Sequence, residues 1–263
     1  MSETYSVVVP AYNAEKTLDA CLASVLAQTL LPLQVMVVDD HSADGTGAAV
    51  RGWQSRFAAA GVALEYLRLA HNVGPSAARN QGMRHARGSY IAFLDADDVW
   101  ASDKLEVVEH AAGGLHALVC HDYTEAAAFP AGNNSPDHAV RILSIWVMLL
   151  RNPAQSSCVV MRRELGFTLD ETMRYCEDHD LWLRIAERHP VVRLVGRPLT
   201  RLGRPQLSAG GLSGDTVRMR RGQLRVYYNF CKRKWRRRVW LLPALVLFSL
   251  LKHMASPLRR ALG

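Results

Sequence analysis

The sequence is poor in cysteine, has no long uninterrupted apolar run, and holds no acidic residue beyond Asp215. Its five cysteines (Cys21, Cys120, Cys158, Cys176 and Cys231) are an odd, widely spaced set, with no C-x-x-C pair and no histidines at zinc-ligand spacing. That argues against a disulfide framework or a structural zinc site, and for buried free thiols in a reducing compartment. The longest apolar run, 239–251, has 13 residues and is interrupted by Pro243 and Ser249, whereas a spanning helix needs roughly 20. The run is too short to cross a bilayer unaided. The chain opens with Glu3 and a brief Val7-Val8-Val9 rather than a basic segment and a long apolar stretch, so no signal peptide is expected and the location expected is cytoplasmic. No internal repeat is present.

What is there is one large unit and a tail. A chain of 263 residues, 49% of them apolar, is long enough for a sizeable α/β core plus an appendage. The net charge of +8 hides an asymmetry: the 48 residues after Asp215 hold 13 of the 32 Lys and Arg, leaving 19 basic against 24 acidic residues before them. The high pI therefore describes where the protein sits rather than what it does. The division expected is a catalytic domain over 1–215 and a basic, amphipathic, helical region over 216–263. In that region Lys232-Arg233-Lys234-Trp235-Arg236-Arg237-Arg238 precedes the apolar run, which suits a helix lying in an anionic membrane interface. A helix merely packed on the domain is the alternative.

Short apolar runs alternate with helical patterns over the first two hundred residues, the signature of βαβ units and a mainly parallel sheet covered on both faces. Tyr5 to Pro10, Leu33 to Asp39, Leu64 to Leu69, Tyr90 to Leu94 and Ala117 to His121 read as strands. Ala14 to Gln28, Asp44 to Ala59, Pro75 to Ala86 and Ser102 to Ala112 read as helices. Further on, Tyr123 to Ala139 reads as a loop, Val140 to Leu150 and Glu177 to Arg188 as helices, and Ser157 to Met161 as a strand. Ligands of such sheets bind at the carboxyl ends of the strands, where Tyr12-Asn13, Asp39-Asp40 and Asp95-Ala96-Asp97-Asp98 gather.

The strongest signal is Phe93-Leu94-Asp95-Ala96-Asp97-Asp98, an apolar strand ending in three carboxylates. Crowded anions need a cation or a hydrogen-bonding ligand to compensate them, and hard oxygen ligands suit Mg²⁺ or Mn²⁺. Such an ion would bridge a diphosphate and neutralise the charge that develops as it leaves. A helix cap explains one of these aspartates but hardly three. In Val38-Asp39-Asp40-His41-Ser42-Ala43-Asp44, a strand-end carboxylate can accept from a base N–H or ribose hydroxyls, and Asp44 looks like a helix N-cap.

Read with Val9-Pro10-Ala11-Tyr12-Asn13 and Asn72-Val73-Gly74-Pro75-Ser76-Ala77-Ala78-Arg79-Asn80, these motifs resemble, in order and spacing, glycosyltransferase family 2 over about residues 5 to 208. The resemblance implies a GT-A fold: a Rossmann-like, mixed but mainly parallel sheet with helices on both faces, here with a helical C-terminal tail. It implies inverting transfer of a sugar from a nucleotide sugar, a UDP-sugar first among them, to an acceptor hydroxyl. It places Pro10, Tyr12, Asn13 and Asp40 at the nucleoside, Arg79 among the substrate-binding residues, Asp97 at both diphosphate and metal, and Asp98 and Asp95 with it at Mn²⁺ or Mg²⁺. The division of ligand duties among the three aspartates stays open.

Cys176-Glu177-Asp178-His179-Asp180-Leu181-Trp182 resembles the family's acidic motif beside the acceptor. Inversion needs one base to take the acceptor proton; Asp178 is expected in that role, Glu177 as its partner or an acceptor contact, Asp180 as the alternative. Without the resemblance, carboxylates favoured by a helix N-terminus would suffice. One departure stands out: many relatives carry a metal-binding His where Arg201-Leu202-Gly203-Arg204-Pro205-Gln206-Leu207-Ser208 has Gly203. Either water fills that coordination position, or Arg204 contacts the diphosphate directly.

His41, His71, His121 and His179 form no ligand set, and Trp182 reads as core. A sugar-nucleotide nucleotidyltransferase is the nearest enzymatic rival, but the first strand is not followed by a Gly-rich phosphate loop. A nucleic-acid-binding protein is the rival from another class; a tail that exposes Trp240-Leu241-Leu242 beside its basic run argues against it, so no nucleic acid is expected. The acceptor expected is a glycan or a lipid-linked sugar of cell-envelope polysaccharide synthesis, with the enzyme peripheral at the inner face of the plasma membrane.

Overall fold

The computed structural model describes residues 3–112, 116–130, 139–205 and 214–261. The chain runs β1 (Tyr5–Ala11), α1 (Leu18–Leu26), β2 (Gln34–Asp39), α2 (Thr46–Ala59), β3 (Ala63–Arg68), α3 (Pro75–His85), β4 (Tyr90–Phe93), β5 (Val99–Trp100), α4 (Lys104–Ala112), β6 (Leu118–His121) and β7 (Tyr123–Thr124). It continues through β8 (Ala139–Leu143), α5 (Ile145–Leu150), β9 (Val159–Arg162), α6 (Glu177–Ala186), β10 (Val191–Val195), β11 (Thr200–Arg201), α7 (Thr216–Arg233), α8 (Trp235–Arg238) and α9 (Leu241–Ala261).

Eight strands form the main sheet in the order β3-β2-β1-β4-β9-β6-β10-β8, and β5, β11 and β7 form a small second sheet. The first four strands are parallel; β9 enters antiparallel between β4 and β6. β1 is buried along nearly its whole length, as a central strand covered on both faces must be. Its alternation sorts the core. Val7 and Val9 face α1, α2 and α4 through Leu22, Phe57 and Leu105, while Val8 shares the opposite layer with Trp182, Phe230 and Leu245 of α6, α7 and α9.

The structure bears out the expected α/β class, the buried free thiols and the core position of Trp182, which is 1% exposed. Three expectations change. Residues 140–150 are not one helix: Val140 and Ile142 lie in edge strand β8, antiparallel to β10, and α5 begins only after Ser144, whose hydroxyl accepts the Val147 N–H. Alternation of β-branched residues overrode a helical composition there. The segment after Gln155 opens with a 3-10 turn, Ser156–Cys158, before β9. Of the expected 123–139 loop, 131–138 lies outside the described residues, as do Gln206, Leu207 and Ser208, and Tyr123–Thr124 is strand.

The basic region divides at Lys234. α7 is sewn into the core by Val226, Tyr227, Phe230 and Cys231, and Arg233 reaches Asp180 at 3.0 Å and Glu187 at 2.6 Å. Arg238 pairs with Glu187 as well. Lys232, Lys234, Arg236 and Arg237 point outward instead, as do Trp240, 83% exposed, and Leu247, Leu250 and Leu251 of α9. No helix among the described residues is long and apolar enough to cross a membrane.

Candidate active site

At the carboxyl edge of the parallel strands lies an open cleft of about 750 Å³. It is lined by Pro10, Tyr12, Asn13, Asp40, Arg79, Asp95, Asp97, Asp98, Glu177, Asp178 and Arg204, so the residues singled out from the sequence converge on it, the alternative base Asp180 excepted. Among the described residues, the non-glycine residues with positive φ are Asn13 (49°), His41 (65°) and Cys176 (58°). Asn13 and Cys176 line this cleft, and His41 follows Asp40, which lines it too. Left-handed backbone costs a non-glycine residue on the order of 1–3 kcal/mol, and at Asn13 and Cys176 the residues that follow, Ala14 and Glu177, line the cleft.

The loops after β1, β2 and β3 are cross-braced by hydrogen bonds to backbone N–H groups. Asn13 donates its N–H to the Ser42 hydroxyl and accepts the Ala43 N–H on Oδ1, both at 2.9 Å. Asp40 is 4% exposed, and its carboxylate accepts the N–H groups of Val73 and Gly74 at 2.7 and 2.8 Å. Gly74 has φ +90°, a conformation that glycine alone adopts freely, and it leads into α3 with Pro75 at the first helical position. Asp40 therefore shapes the pocket wall through the 72–74 loop. Tyr12, 56% exposed, is the open face beside it. Asp44 caps α2 from one residue further out than expected, accepting from Thr46 N while Gly45 holds the cap position.

The three aspartates after β4 do not pool on one point. Asp95 bonds Arg79 at 2.7 Å. Asp97 faces Arg204 at 3.4 Å. Asp98, 6% exposed, accepts from the Ser157 hydroxyl at 2.5 Å and the Gly203 N–H at 3.0 Å. Among the described residues no three His, Cys, Asp or Glu side chains gather where a cation would sit. Protein groups thus supply much of the compensation that crowded carboxylates require. Charge strain persists: burial, with Asp95 second, raises the pKa of Asp97, and the same two causes push Asp98 up to about 7. At Gly203, where the resemblance leads one to expect histidine, a Cβ would lie 1.7 Å from the Asp97 carbonyl oxygen. No side chain fits, and the neighbouring Arg204 supplies the positive charge.

The other end of the cleft is built around the start of α6. Arg79, 6% exposed, spans the site from Asp95 to Glu177, 3.2 Å away. Burial alone would lower its pKa; Asp95 and Glu177 override this and raise it. Burial and then Asp178 push Glu177 up to about 7. Asp178 is half-buried and receives the Asn152 side-chain amide on Oδ2 at 3.0 Å. Asp180, the alternative base, is 2% exposed and tied to Arg184, Arg233 and Asn229. It lies away from the cleft lining and is unsuited to proton transfer. Sequence reading missed Asn152, Arg174, Tyr175, Ser157 and Arg218. Arg174, Tyr175 and Arg218 line the cleft, and none stands in a recognisable motif.

A mixed, mainly parallel sheet with an acidic cleft at its carboxyl edge defines a GT-A type α/β protein. Solved structures agree. Staphylococcus aureus TarS 1-349, in complex with UDP-GlcNAc, matches with a TM-score of 0.65 at 18% identity, over 87% of this chain and 66% of that one. The mannosyltransferase PcManGT from Pyrobaculum calidifontis, in complex with GDP-Man and Mn²⁺, matches with a TM-score of 0.66 at 18% identity, over 98% and 76%. The model of the family described as Glycosyl transferase family 2 matches residues 6–146, more than half of the chain. The chain belongs to glycosyltransferase family 2.

Among relatives, the UDP-Glc:alpha-D-GlcNAc-diphosphoundecaprenol beta-1,3-glucosyltransferase WfgD of Escherichia coli is 38% identical over 102 residues, 39% of this chain and 38% of that protein. The putative teichuronic acid biosynthesis glycosyltransferase TuaG of Bacillus subtilis strain 168 is 38% identical over 101 residues, 38% of each. The matched segment thus spans well under half of either relative's length.

Proposed function

We propose that this protein is an inverting glycosyltransferase that moves a sugar from a nucleoside diphosphate sugar, a UDP-sugar first among them, to an acceptor hydroxyl in cell-envelope polysaccharide or glycolipid synthesis. The observation that carries the reading is that one cleft joins the nucleoside-side loops to a half-buried carboxylate, Asp178, held from behind by Asn152. Pro10, Tyr12, Asn13 and Asp40 form the nucleoside wall. Arg204 is placed for the diphosphate. Asp178 accepts the acceptor proton as the hydroxyl attacks the anomeric carbon from the face opposite the leaving nucleotide. Arg79 fixes Glu177 and Asp95 on either side of the reacting groups, so the acceptor helix and the donor strand end move as one. Open glycan-binding clefts of this kind orient by a few polar anchors.

No three protein ligands gather among the described residues, so a divalent ion here would take most of its ligands from the diphosphate and water. Asp97 keeps a third of its side chain exposed, has only the long contact to Arg204 among the described residues, and sits in a field that raises its pKa. Asp97, with Asp95 beside it on the same turn after β4, would hold Mn²⁺ or Mg²⁺, which when bound would stabilise the departing diphosphate. The relatives' names support the chemistry: WfgD's includes UDP-Glc and a diphosphoundecaprenol acceptor. The outward Lys232, Lys234, Arg236 and Arg237 beside Trp240 and the exposed leucines of α9 support a peripheral seat of 216–263 on an anionic membrane at the cytoplasmic face, where each surface-near cation contributes about 1 kcal/mol.

Thermal unfolding with UDP, GDP and TDP, each with and without Mn²⁺, tests the donor site, since a ligand of the native state raises Tm. One nucleotide should stabilise the wild type, more so with the ion, and Asp97→Ala should erase the ion's increment. A wild type that no nucleotide stabilises refutes the reading.

A further inference from the structure

Among the described residues four cations line the cleft: Arg79, Arg174, Arg204 and Arg218. Two of them are engaged by its acids, since Arg79 spans Asp95 and Glu177 and Arg204 faces Asp97. Arg174 is exposed and has no hydrogen bond or ion pair among the described residues. It stands in the segment that leads into Glu177 and Asp178. Arg218 is held only loosely. Its guanidinium lies 3.2 Å from Asp215, in an i,i+3 pair whose side chains are 65% and 40% exposed, and 3.4 Å from the Tyr175 hydroxyl. An ion pair that open to water contributes little and yields readily to a stronger anion.

This sector is fixed in place by α7. The Cys176 thiol donates to the Met219 carbonyl, and Arg225 donates to the Thr172 carbonyl at 2.9 Å. Gly222 packs so closely on Tyr175 that a Cβ there would lie 2.6 Å from the Tyr175 carbonyl oxygen. Segment 172–176 and the first turns of α7 therefore form one unit, and two guanidinium groups and a phenol on it border the open space of the cleft. Away from the cleft, the exposed face of α7 continues as Arg218, Arg221, Arg225, Tyr228 and Lys232. Their spacing of i, i+3, i+7, i+10 and i+14 keeps them on one side of the helix, over a length of about 21 Å. The far end of that face leads into the outward Lys234, Arg236 and Arg237 and the exposed Trp240.

We propose that Arg174 and Arg218, with the Tyr175 hydroxyl, receive the phosphate or diphosphate of the acceptor. Guanidinium groups offer paired N–H donors that match phosphate oxygens, and the cleft they border, about 750 Å³, has room for the anion. Arg204 is already placed for the donor's diphosphate, so a second pair of cations suits a second anion. The purpose of the site rests on the transferase reading: a phosphate held here brings the sugar it carries to the segment that ends in Asp178, and the basic face of α7 leads from it toward the proposed membrane seat, the side from which a lipid-linked acceptor arrives.

Calorimetric titration of inorganic pyrophosphate and of geranyl diphosphate into protein already saturated with UDP tests the site, because the donor position is then filled. The wild type should bind saturably. Arg174→Gln and Arg218→Gln should each weaken binding by about 10–100-fold, the loss expected for charge-assisted hydrogen bonds, while the rise in Tm produced by UDP keeps its wild-type size. Both side chains are exposed, so the variants without ligand should melt with the wild type. Arg221→Gln removes the same charge from the face of α7 outside the cleft lining and should leave both titrations unchanged. Equal binding of the two probes assigns the site to the phosphate group itself; tighter binding of geranyl diphosphate assigns it to a lipid headgroup. Absence of saturable binding overturns the proposal, and so does binding that survives both substitutions or falls equally in Arg221→Gln. A variant that also loses the UDP shift moves these arginines to the donor and overturns it as well. A wild type that ignores UDP yet binds the probes through Arg174 refutes the donor reading and keeps this site.

Discussion

The two ends of the cleft are made differently. At the nucleoside end, short loops bond to one another: Asn13 to Ser42 and Ala43, Asp40 to Val73 and Gly74, Asp39 to Ser42 and Tyr66. The carboxylates there are spent on backbone N–H groups and hold shape. At the proposed acceptor end, the carboxylates of Glu177 and Asp178 meet side chains brought from far along the chain, Arg79 and Asn152, with one backbone N–H, that of His179, on Asp178, and both residues line the cleft. Saturated hydrogen bonding rigidifies, whereas a carboxylate with open lone pairs is free to take a proton. On the proposed reading, the fold separates binding shape from proton chemistry along one groove.

The sharpest way to break that contrast is Asp178→Asn. The amide keeps the size and the contact to Asn152 but cannot accept the acceptor proton, so transfer should fall by about 10²–10⁴-fold. The Tm shift produced by UDP should stay unchanged. Loss of both would mean that the two ends are one device, and loss of neither would move the base elsewhere.

Arg79→Met probes the strut between the ends. It strands Glu177 and Asp95, one of them 7% exposed, and removal of one partner from a buried ion cluster costs about 3–5 kcal/mol. Urea unfolding should show that loss at pH 8 and a smaller loss at pH 5, where Glu177 is neutral in the wild type. Equal losses at both pH values would show that packing, not charge, is the strut's contribution.

Legibility in the sequence follows the same divide. The strands from β1 to β4 and the helices between them lie within a few residues of expectation, because fully buried parallel strands write continuous apolar runs. The nucleoside-side residues follow immediately after those strands, so the motif and the site coincide in sequence. β8 was misread as helix because its partner, β10, is some fifty residues away and its outward face is apolar rather than polar. Asn152 and Ser157 went unmarked for the same reason: each matters through a partner that only tertiary structure reveals. Gly203 was legible as a departure, but its cause, the approach of the Asp97 carbonyl, was not.

The smallest effect sharpens the comparison by pH. Glu177 is ordinary near 4.5 and sits at about 7 in the folded protein, from burial first and Asp178 second. A carboxyl whose folded pKa is raised contributes stability that is complete below about pH 4.5 and is lost as pH rises through about 7. Glu177→Gln keeps the shape and an oxygen for Arg79 while removing the titration. Its Tm relative to wild type should therefore climb between pH 4.5 and 8, where the wild type alone must carry a second anion beside Asp178. The corresponding Asp40→Asn change tests the other end through shape alone: the carboxylate accepts two backbone N–H groups, and the amide can turn only one oxygen toward them. A difference between Glu177→Gln and wild type that stays flat with pH would place the buried proton elsewhere and leave the acceptor end no more strained than the nucleoside end.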